Sequence, residues 1–236
     1  MGFSRTYNDV HAHGNTKLKV IYTTDVDAMA TYVEEFKTVL QLRRQKIIGI
    51  DVEYTPDHDR AALVQLSIGK YHPVLLFQVC GTLGKRCIPF DRFLADPRFE
   101  FAGFAIKQDK EKLPRCNLHI TNFVDIQTNW RVPDGTKPLD SLGDVAAAII
   151  DDEYADMKTK MSNHDHSLWT SILSTKHIEY AAKDAYTAFE IWNRITTMKR
   201  GLACAEKEKT RKRPRSSWRG WGKGASTSTS NSNGWN

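Results

Sequence analysis

The sequence has few cysteines and no long apolar run, and both absences limit what the protein can be. Its 236 residues include four cysteines, and 40% of the residues are hydrophobic. No run reaches the 18 or more apolar residues of a membrane-spanning helix, and the amino terminus lacks the apolar core of a secretory signal. The cysteines match no zinc-binding spacing, so we expect free thiols in a reducing compartment and no membrane span. The His-x-His pairs at 11–13 and 164–166 are expected in polar loops.

Net charge is also nearly absent from the body of the chain. The whole sequence has 34 basic and 28 acidic side chains, of which ten basic and two acidic ones follow Met198. The first 198 residues therefore hold 24 basic and 26 acidic side chains, a net charge of −2, and residues 199–236 carry +8. This terminal segment is also rich in Gly, Ser and Asn, so we expect a basic, disordered tail over residues 201–236.

Acidic residues at the ends of apolar runs are the most informative feature that is present. Asp51 and Glu53 end the run IIGIDVE, Asp109 follows FAGFAIKQ, and Asp184 comes four residues after Tyr180 in HIEYAAKDAYTAFEIW. Burying an unpaired carboxylate costs free energy or raises its pKa. We therefore expect a cation to gather these side chains, and oxygen ligands favour Mg²⁺ or Mn²⁺. A carboxylate site with two such ions is typical of phosphoryl transfer.

The spacing of these residues allows them to converge. Asp51 and Glu53 are two apart in a predicted strand, and Tyr180 and Asp184 are four apart in a predicted helix, so each pair shares one face. Taken singly, each motif is common: D-x-E often marks a solvated strand end, and Asp109 could be a helix N-cap. Their order along the chain, each at the end of an apolar element, favours one shared site.

The hydrophobic pattern predicts an α/β fold. We expect strands at 17–22, 47–53, 62–68, 74–78, 99–104 and 123–126, and helices from 25 to about 44, at 90–94, 110–113, 139–150 and 175–198. The closely spaced strands between 47 and 78 should pair antiparallel, and the strand–helix units that follow predict a mixed sheet of five to six strands with helices on both faces. Residues 1–16 are expected to be a flexible extension before a domain at 17–200.

The three acidic segments resemble the motifs of the DEDD superfamily of 3′–5′ exonucleases, in the branch of RNase D and the Werner-syndrome exonuclease domain. IIGIDVEYTP is similar to the first motif, FAGFAIKQDKEKL to the second and HIEYAAKDAYTAFEIW to the third, and the resemblance covers about residues 17–198. Tyr180, four residues before Asp184, is typical of the tyrosine type. The resemblance implies a ribonuclease-H-like αβα fold and the release of nucleoside 5′-monophosphates from the 3′ end of DNA or RNA.

The resemblance also implies roles for the site residues. Asp51 would bridge two Mg²⁺ or Mn²⁺ ions, Glu53 and Asp184 would complete the site of the ion that activates water, and Asp109 would hold the second ion. Tyr180 would orient the attacking water. Weaker substrate-binding candidates are Lys107, Lys110, Lys112, Lys158, Lys160 and Tyr54. A solvated surface is the alternative for the lysines, and core packing is the alternative for the tyrosine.

Two other functions remain open from the sequence. One is a non-cleaving relative that only binds nucleic acid. The other is a silencing adaptor that acts through its tail, where Gly220-Trp221-Gly222 and Gly234-Trp235 resemble Gly-Trp motifs that dock on Argonaute-type partners. A helicase or silencing factor is therefore a possible protein partner of the tail. The basic run Lys209–Arg215 favours nuclear localisation, with a phosphate-binding arm as the alternative.

Overall fold

A mixed seven-stranded sheet forms the centre of the fold, in the order β1-β2-β5-β4-β3-β6-β7. The strands are β1 Ser4–His13, β2 Thr16–Thr23, β3 Ile47–Glu53, β4 Leu63–Ser67, β5 Val74–Phe77, β6 Glu100–Gly103 and β7 Phe123–Asp125. As expected, β3 pairs antiparallel with β4, and β4 pairs antiparallel with β5. Strand β6 pairs parallel with β3. The carboxyl ends of β3, β5 and β6 therefore lie at the same edge of the sheet.

Helices and short 3-10 segments connect these strands. The helices are α1 Val26–Gln41, α2 Ile88–Ala95, α3 Lys107–Lys112, α4 Ile126–Asn129, α5 Leu142–Ile149, α6 Asn163–His166 and α7 Thr175–Lys212, and the 3-10 segments are Val79–Thr82, Leu113–Cys116 and Asp152–Lys160. This computed structural model describes residues 2–55, 60–133 and 135–212, without the side chains of 158–160 and 209–212. Among those residues, no helix has the length and apolarity that crossing a membrane requires. All four cysteines are free thiols, as expected.

Alternation along the strands divides the core between the two faces of the sheet. Ile21 of β2 packs in one cluster with the buried side chains of α1 and α2, whereas its neighbours Val20 and Tyr22 pack in a second cluster with α7. The helix α1 begins where the sequence predicts, because Asp25 accepts hydrogen bonds from the first backbone N–H groups of the helix. Its buried residues are Met29, Val33, Phe36 and Leu40. Helices therefore cover both faces, as the sequence pattern predicts.

Both ends of the described chain differ from the sequence prediction. Residues 4–13 are not part of a flexible extension but form β1, which pairs with β2 and raises the strand number above the expected five to six. Its sequence SRTYNDVHAH is mostly polar, and only Val10 and Ala12 are buried hydrophobics, so the apolar alternation of a strand is hardly visible. The last helix does not end near Met198 but continues to Lys212, through a segment rich in the helix formers Ala, Glu, Lys and Arg.

The chain divides into two compact units, residues 1–198 and residues 199–236. The first unit contains the sheet and its helical layers. In the second unit, residues 199–212 are helical. The remainder of the predicted disordered tail, from residue 213 on, lies outside the described residues. This part includes residues 213–215 of the basic run and the two Gly-Trp motifs.

Candidate active site

Strand β3 points its two acidic side chains toward α7. Ile48, Ile50 and Val52 pack in the cluster formed with α1 and α2, so Asp51 and Glu53, on the alternate positions, face the other side. Gly49 shares that second face. A Cβ atom there would overlap the backbone carbonyl of Ala185 and the backbone nitrogen of Phe189. The glycine therefore lets α7 approach β3 closely, which brings the neighbouring Asp184 beside the two strand carboxylates.

The carboxylates of Asp51, Glu53 and Asp184 form the centre of the site. One oxygen of each lies within 4.8 Å of the others. They open into a cleft of about 630 Å³ at the carboxyl ends of β3 and β6. Asp109 and Tyr180 line the same cleft, although Asp109 lies outside the tightest group of three. The structure thus brings together all five residues that the sequence motifs single out.

Burial and mutual repulsion raise the pKa values of these acids. Burial raises the pKa of Asp51 to about 7, although hydrogen bonds from Val52 N–H and Gln65 act in the opposite direction. Burial, together with the charges of Asp51, Asp184 and Asp109, holds the pKa of Glu53 well above its usual range. The pKa of Asp109 rises to about 8, again first by burial and then by the charge of Asp51. A cation placed among these carboxylates would favour their charged forms.

Gln65 holds the Asp51 carboxylate in position. It lies directly opposite Asp51 in the β3–β4 register and is completely buried. Its side-chain amide, oriented to donate, lies 2.7 Å from Asp51 Oδ2 and 3.2 Å from the Asp51 backbone oxygen. The sequence motifs do not include this residue. The signal that could have found it is a single amide within the apolar strand LVQLS, since a buried amide needs a polar partner.

The Tyr180 hydroxyl donates a hydrogen bond to Asp184. Burial first, and then the charges of Asp184 and Glu53, raise the pKa of the Tyr180 phenol well above its ordinary value. The ring of His166, which also lines the cleft, lies edge-on to the Tyr180 ring at 5.7 Å between centroids. Burial lowers the pKa of His166. Tyr180 is therefore a neutral donor whose ring is held by aromatic neighbours, and His166 belongs to α6 rather than to the polar loop that the sequence predicts.

A strained turn places Asp109. Asp109 lies in the first turn of α3 and is 7% exposed. This helix begins at Lys107, three residues before the predicted start. Ala105, in the turn before α3, has a φ of 56°, and its N–H donates to Asp125 Oδ1 at 3.1 Å. The same oxygen accepts from Gln127 N–H at 3.0 Å. Asp125 is therefore a capping acid that also holds the turn leading to the Asp109 helix.

Tyr54 and Lys112 both line the cleft. The Lys112 ammonium lies 3.6 Å from the centroid of the Tyr54 ring, a cation–π distance. The Tyr54 hydroxyl donates to the side chain of Gln108. Burial, followed by the charges of Asp109 and Asp51, raises the pKa of Tyr54 to about 12. Tyr54 is thus a neutral aromatic side chain that lines the cleft and also packs against the core cluster of α1 and α2, so its role as a substrate contact stays a prediction.

The other predicted lysines occupy different places. Lys107 and Lys110 are exposed on α3 and are not among the residues that line the cleft. The Lys110 ammonium lies 5.8 Å from the centroid of the Phe123 ring. Lys158 and Lys160 lie among the residues whose side chains are not described. Sequence alone could not show which lysine beside Asp109 reaches the cleft, because this depends on where α3 begins.

The donor set fits a hard divalent cation. The three closest ligands are all carboxylates, and oxygen ligands are what Mg²⁺ and Mn²⁺ prefer. The raised pKa values give the same indication, because these acids are charged at neutral pH only at a cost that a cation offsets. Asp109 feels the charge of Asp51 more than that of any other acid. Asp51 thus belongs to the group of three and lies near enough to Asp109 for its charge to act on that acid.

Comparison with known proteins points to one family. The family model described as 3′–5′ exonuclease matches residues 24–199, which include all five motif residues. A protein of Acanthamoeba polyphaga mimivirus named 3′–5′ exonuclease R431 is 26% identical over 198 residues, which are 78% of this chain and 48% of that protein. The chain therefore spans about half the length of this curated relative.

Several solved structures have a similar fold. The EXO domain of Aedes aegypti Nibbler superposes with a TM-score of 0.52 at 19% identity, covering 72% of this chain and 86% of that one. Trypanosoma brucei RNase D gives a TM-score of 0.51 at 21% identity, covering 70% and 61%. A protein from Bifidobacterium adolescentis gives 0.61 at 14% identity, covering 84% and 45%. These likenesses, together with the family match, confirm the α/β fold of ribonuclease-H-like exonuclease domains.

Proposed function

The chain belongs to the 3′–5′ exonuclease family, and from this premise we propose that its cleft hydrolyses the terminal phosphodiester bond at the 3′ end of a nucleic acid strand. The products are nucleoside 5′-monophosphates. The observation that carries the proposal is the set of carboxylates of Asp51, Glu53 and Asp184 within 4.8 Å, in one cleft with Asp109 and Tyr180. A member that only binds nucleic acid has no use for buried acids that repel both one another and the phosphate, so cleavage is favoured over the non-cleaving alternative.

The acidic side chains act by holding divalent cations. Asp51, Glu53 and Asp184 would hold one Mg²⁺ or Mn²⁺ ion, and Asp51 and Asp109 a second. Bound ions supply charge neutralisation at the phosphate and the leaving oxygen and a lower pKa for the attacking water. Gln65 fixes the orientation of the shared Asp51 carboxylate through its amide.

Tyr180 positions the attacking water. Its phenol stays protonated because its pKa is raised, so it is unsuited to remove a proton. Because its one proton is donated to Asp184, the hydroxyl can accept a hydrogen bond from a water molecule and fix the approach of that water in line with the bond that breaks. The hydrogen bond to Asp184 couples this hydroxyl to the same carboxylate group.

The terminal nucleotide has an aromatic and cationic surface available at the rim of the cleft. Tyr54 and Phe104 both line it, and base stacking on such rings accepts any of the four bases. Lys112 lines the same cleft and can contact a phosphate. This combination suits a single-stranded 3′ end of DNA or RNA without a preference for sequence.

The proposal is tested with 5′-labelled DNA and RNA oligonucleotides, which a 3′–5′ exonuclease shortens stepwise. We expect digestion with Mg²⁺ or Mn²⁺, no digestion with EDTA, and a loss of about 10²-fold or more in the Asp109→Asn variant. Glu111→Gln is the matched control, because Glu111 lies exposed on the same helix. Full activity after exhaustive chelation, or equal activity of Asp109→Asn and the control, would contradict the proposal. The relative rates on DNA and RNA decide the preferred substrate.

We propose in addition that the basic run Lys209–Arg215 directs the protein to the nucleus and that the tail can engage a helicase or a silencing factor. The support is the composition of the tail, with +8 of charge and its Gly-Trp motifs. Deleting residues 205–236 should move a fluorescent fusion out of the nucleus while purified nuclease activity stays close to that of the full chain. An unchanged distribution of the deleted protein would contradict the localisation proposal.

A further inference from the structure

We propose that a groove beside the catalytic cleft binds the backbone phosphates of the strand on the 5′ side of the bond that is cleaved. The basic groove, as we call it, has a volume of about 480 Å³, and its cationic side chains are Arg60, Lys85, Arg86 and Arg115. This inference rests on the proposed exonuclease function. It adds to that function a binding surface for single-stranded nucleic acid outside the cleft.

Hydrogen bonds across the sheet connect the basic groove to the catalytic cleft. The Ala62 N–H donates to the Glu53 carbonyl at 2.8 Å, and the Cys80 N–H donates to the Ala62 carbonyl at 3.3 Å. Ala62 and Cys80 both lie in the groove, and Glu53 lies in the cleft. Neighbouring strands are about 4.8 Å apart, so the floor of the groove begins roughly 5 to 10 Å from the Glu53 main chain. The apolar residues of the groove, among them Phe77 and Phe90, pack in the cluster with α1 and α2. A strand with its 3′ end in the cleft would therefore pass over the edge of the sheet to reach the groove.

The charges of the basic groove suit a polyanion. Among the described residues that line it, Asp91 is the sole acid, and it already forms an ion pair with Arg86 at 2.6 Å. Arg60, Lys85 and Arg115 are all exposed. The first 198 residues have a net charge of −2, so this concentration of cations is local and does not reflect the surface as a whole.

A second groove adjoins the cleft and lacks this property. It meets the cleft at Tyr180 and contains Lys176 and Lys183 but also Glu153 and Glu179. Lys176 is paired with Asp165 at 2.6 Å. Because acids and bases balance there, this groove offers little attraction to a chain of phosphates. The comparison assigns the strand to the basic groove.

The catalytic cleft itself makes such a surface necessary. It contains four carboxylates and one lysine, so it repels a polyanion wherever cations do not fully neutralise it. Binding of a strand therefore needs attraction outside the cleft. Each phosphate contact with a single strand contributes about 0.7 to the slope of log K against log salt.

The test measures binding separately from cleavage. Full-length Asp51→Asn protein, in which digestion is blocked, is titrated with 5′-fluorescein oligonucleotides of two and twelve nucleotides in Mg²⁺, and anisotropy is recorded over a range of salt. For Arg60→Gln/Arg115→Gln in this background, we expect the twelve-mer to bind about 25-fold more weakly at about 0.1 M salt, with a slope lower by about 1.4 for two lost contacts. The affinity for the dinucleotide should fall by a several-fold smaller factor than the affinity for the twelve-mer.

Two further variants make the result interpretable. Arg44→Gln/Lys70→Gln removes two exposed cations that lie at the opposite edge of the sheet, just before β3 and just after β4, and should leave the slope unchanged. Arg60→Lys/Arg115→Lys keeps the charge and should retain most of the affinity, which a merely misfolded variant could not do. Melting temperatures are compared for all variants.

Three outcomes would overturn the inference. The first is an unchanged twelve-mer affinity in Arg60→Gln/Arg115→Gln. The second is an equal loss of affinity for the dinucleotide and the twelve-mer, which would place the arginines at the terminal nucleotide. The third is an equal loss of affinity in the Arg44→Gln/Lys70→Gln control, which would make the effect general. Failure of the exonuclease proposal is distinguishable, because it appears as absent digestion by the wild-type chain, whatever the binding data show.

Discussion

Replacing Gly49 by alanine should separate the two halves of the catalytic site. The added Cβ would overlap the Ala185 carbonyl and the Phe189 backbone nitrogen and lie 2.7 Å from Phe189 Cβ, where ordinary contact is 3.4–4 Å. The helix α7 must therefore move away by roughly 1 Å, since backbone atoms cannot rotate aside as a side chain can. Overpacking of this kind costs about 1–3 kcal/mol, more than the roughly 0.5–1 kcal/mol that alanine gains over glycine inside a strand.

The same shift should impair catalysis more than folding. Asp184 precedes Ala185, so it moves with the helix while Asp51 and Glu53 stay on β3, and a misplacement of about 1 Å can cost about 10²-fold in rate. The assay compares kcat/KM on a labelled oligonucleotide with the melting temperature of the same preparation. Gly201→Ala is the control, because nothing lies within 4 Å of a Cβ at that position of α7, and it should not lower stability. Wild-type activity and melting temperature in Gly49→Ala would refute the reasoning.

Three further predictions concern the site. Tyr180→Phe should lower kcat with little change in KM, because it removes the hydroxyl that we propose positions water; a change confined to KM would indicate substrate binding instead. Mn²⁺ should restore activity after EDTA better than Zn²⁺, since the closest ligands are hard oxygens, and full activity with Zn²⁺ would contradict this. Burial raises the pKa of Asp51 to about 7 and of Asp109 to about 8, so the folded state binds protons more tightly than the unfolded state, whose carboxyl pKa is about 3.9. The metal-free protein should therefore lose stability as the pH rises from about 5 to 8, with Mg²⁺ protecting most at the upper end; a melting temperature that rises with pH in EDTA would count against it.

Four of the five candidate site residues could be predicted from sequence because they obey a simple local periodicity. Asp51 and Glu53 alternate along a strand, and Tyr180 and Asp184 are one helical turn apart, so local geometry alone keeps each pair on one face. Residues that support the site through tertiary contacts carry no such pattern. Gln65 meets Asp51 only through the β3–β4 register, and His166 meets Tyr180 across separate helices.

The fold was predictable where apolar alternation is strong and not where it is weak. The helix α1 and strands β3, β4 and β5 have clear patterns, and the structure confirms them. The strand β1 is mostly polar because it borders the sheet and has only one neighbour, so its backbone pairing cannot be read from hydrophobicity. The continuation of α7 to Lys212 depends on helix propensity in a charged segment, a weaker signal than an apolar stripe.

The activity of Asp51→Asn tests the central claim most directly. This substitution keeps the shape of the side chain and removes one charge from the group of carboxylates that would hold the cations. Stepwise shortening of a 5′-labelled oligonucleotide, with release of nucleoside 5′-monophosphates, should proceed in the wild type with Mg²⁺ and fall by about 10²–10³-fold or more in Asp51→Asn, while its melting temperature in EDTA holds or rises because a buried, repelling charge is gone. Digestion by Asp51→Asn at the wild-type rate would show that the carboxylates of β3 and α7 are not the hydrolytic site.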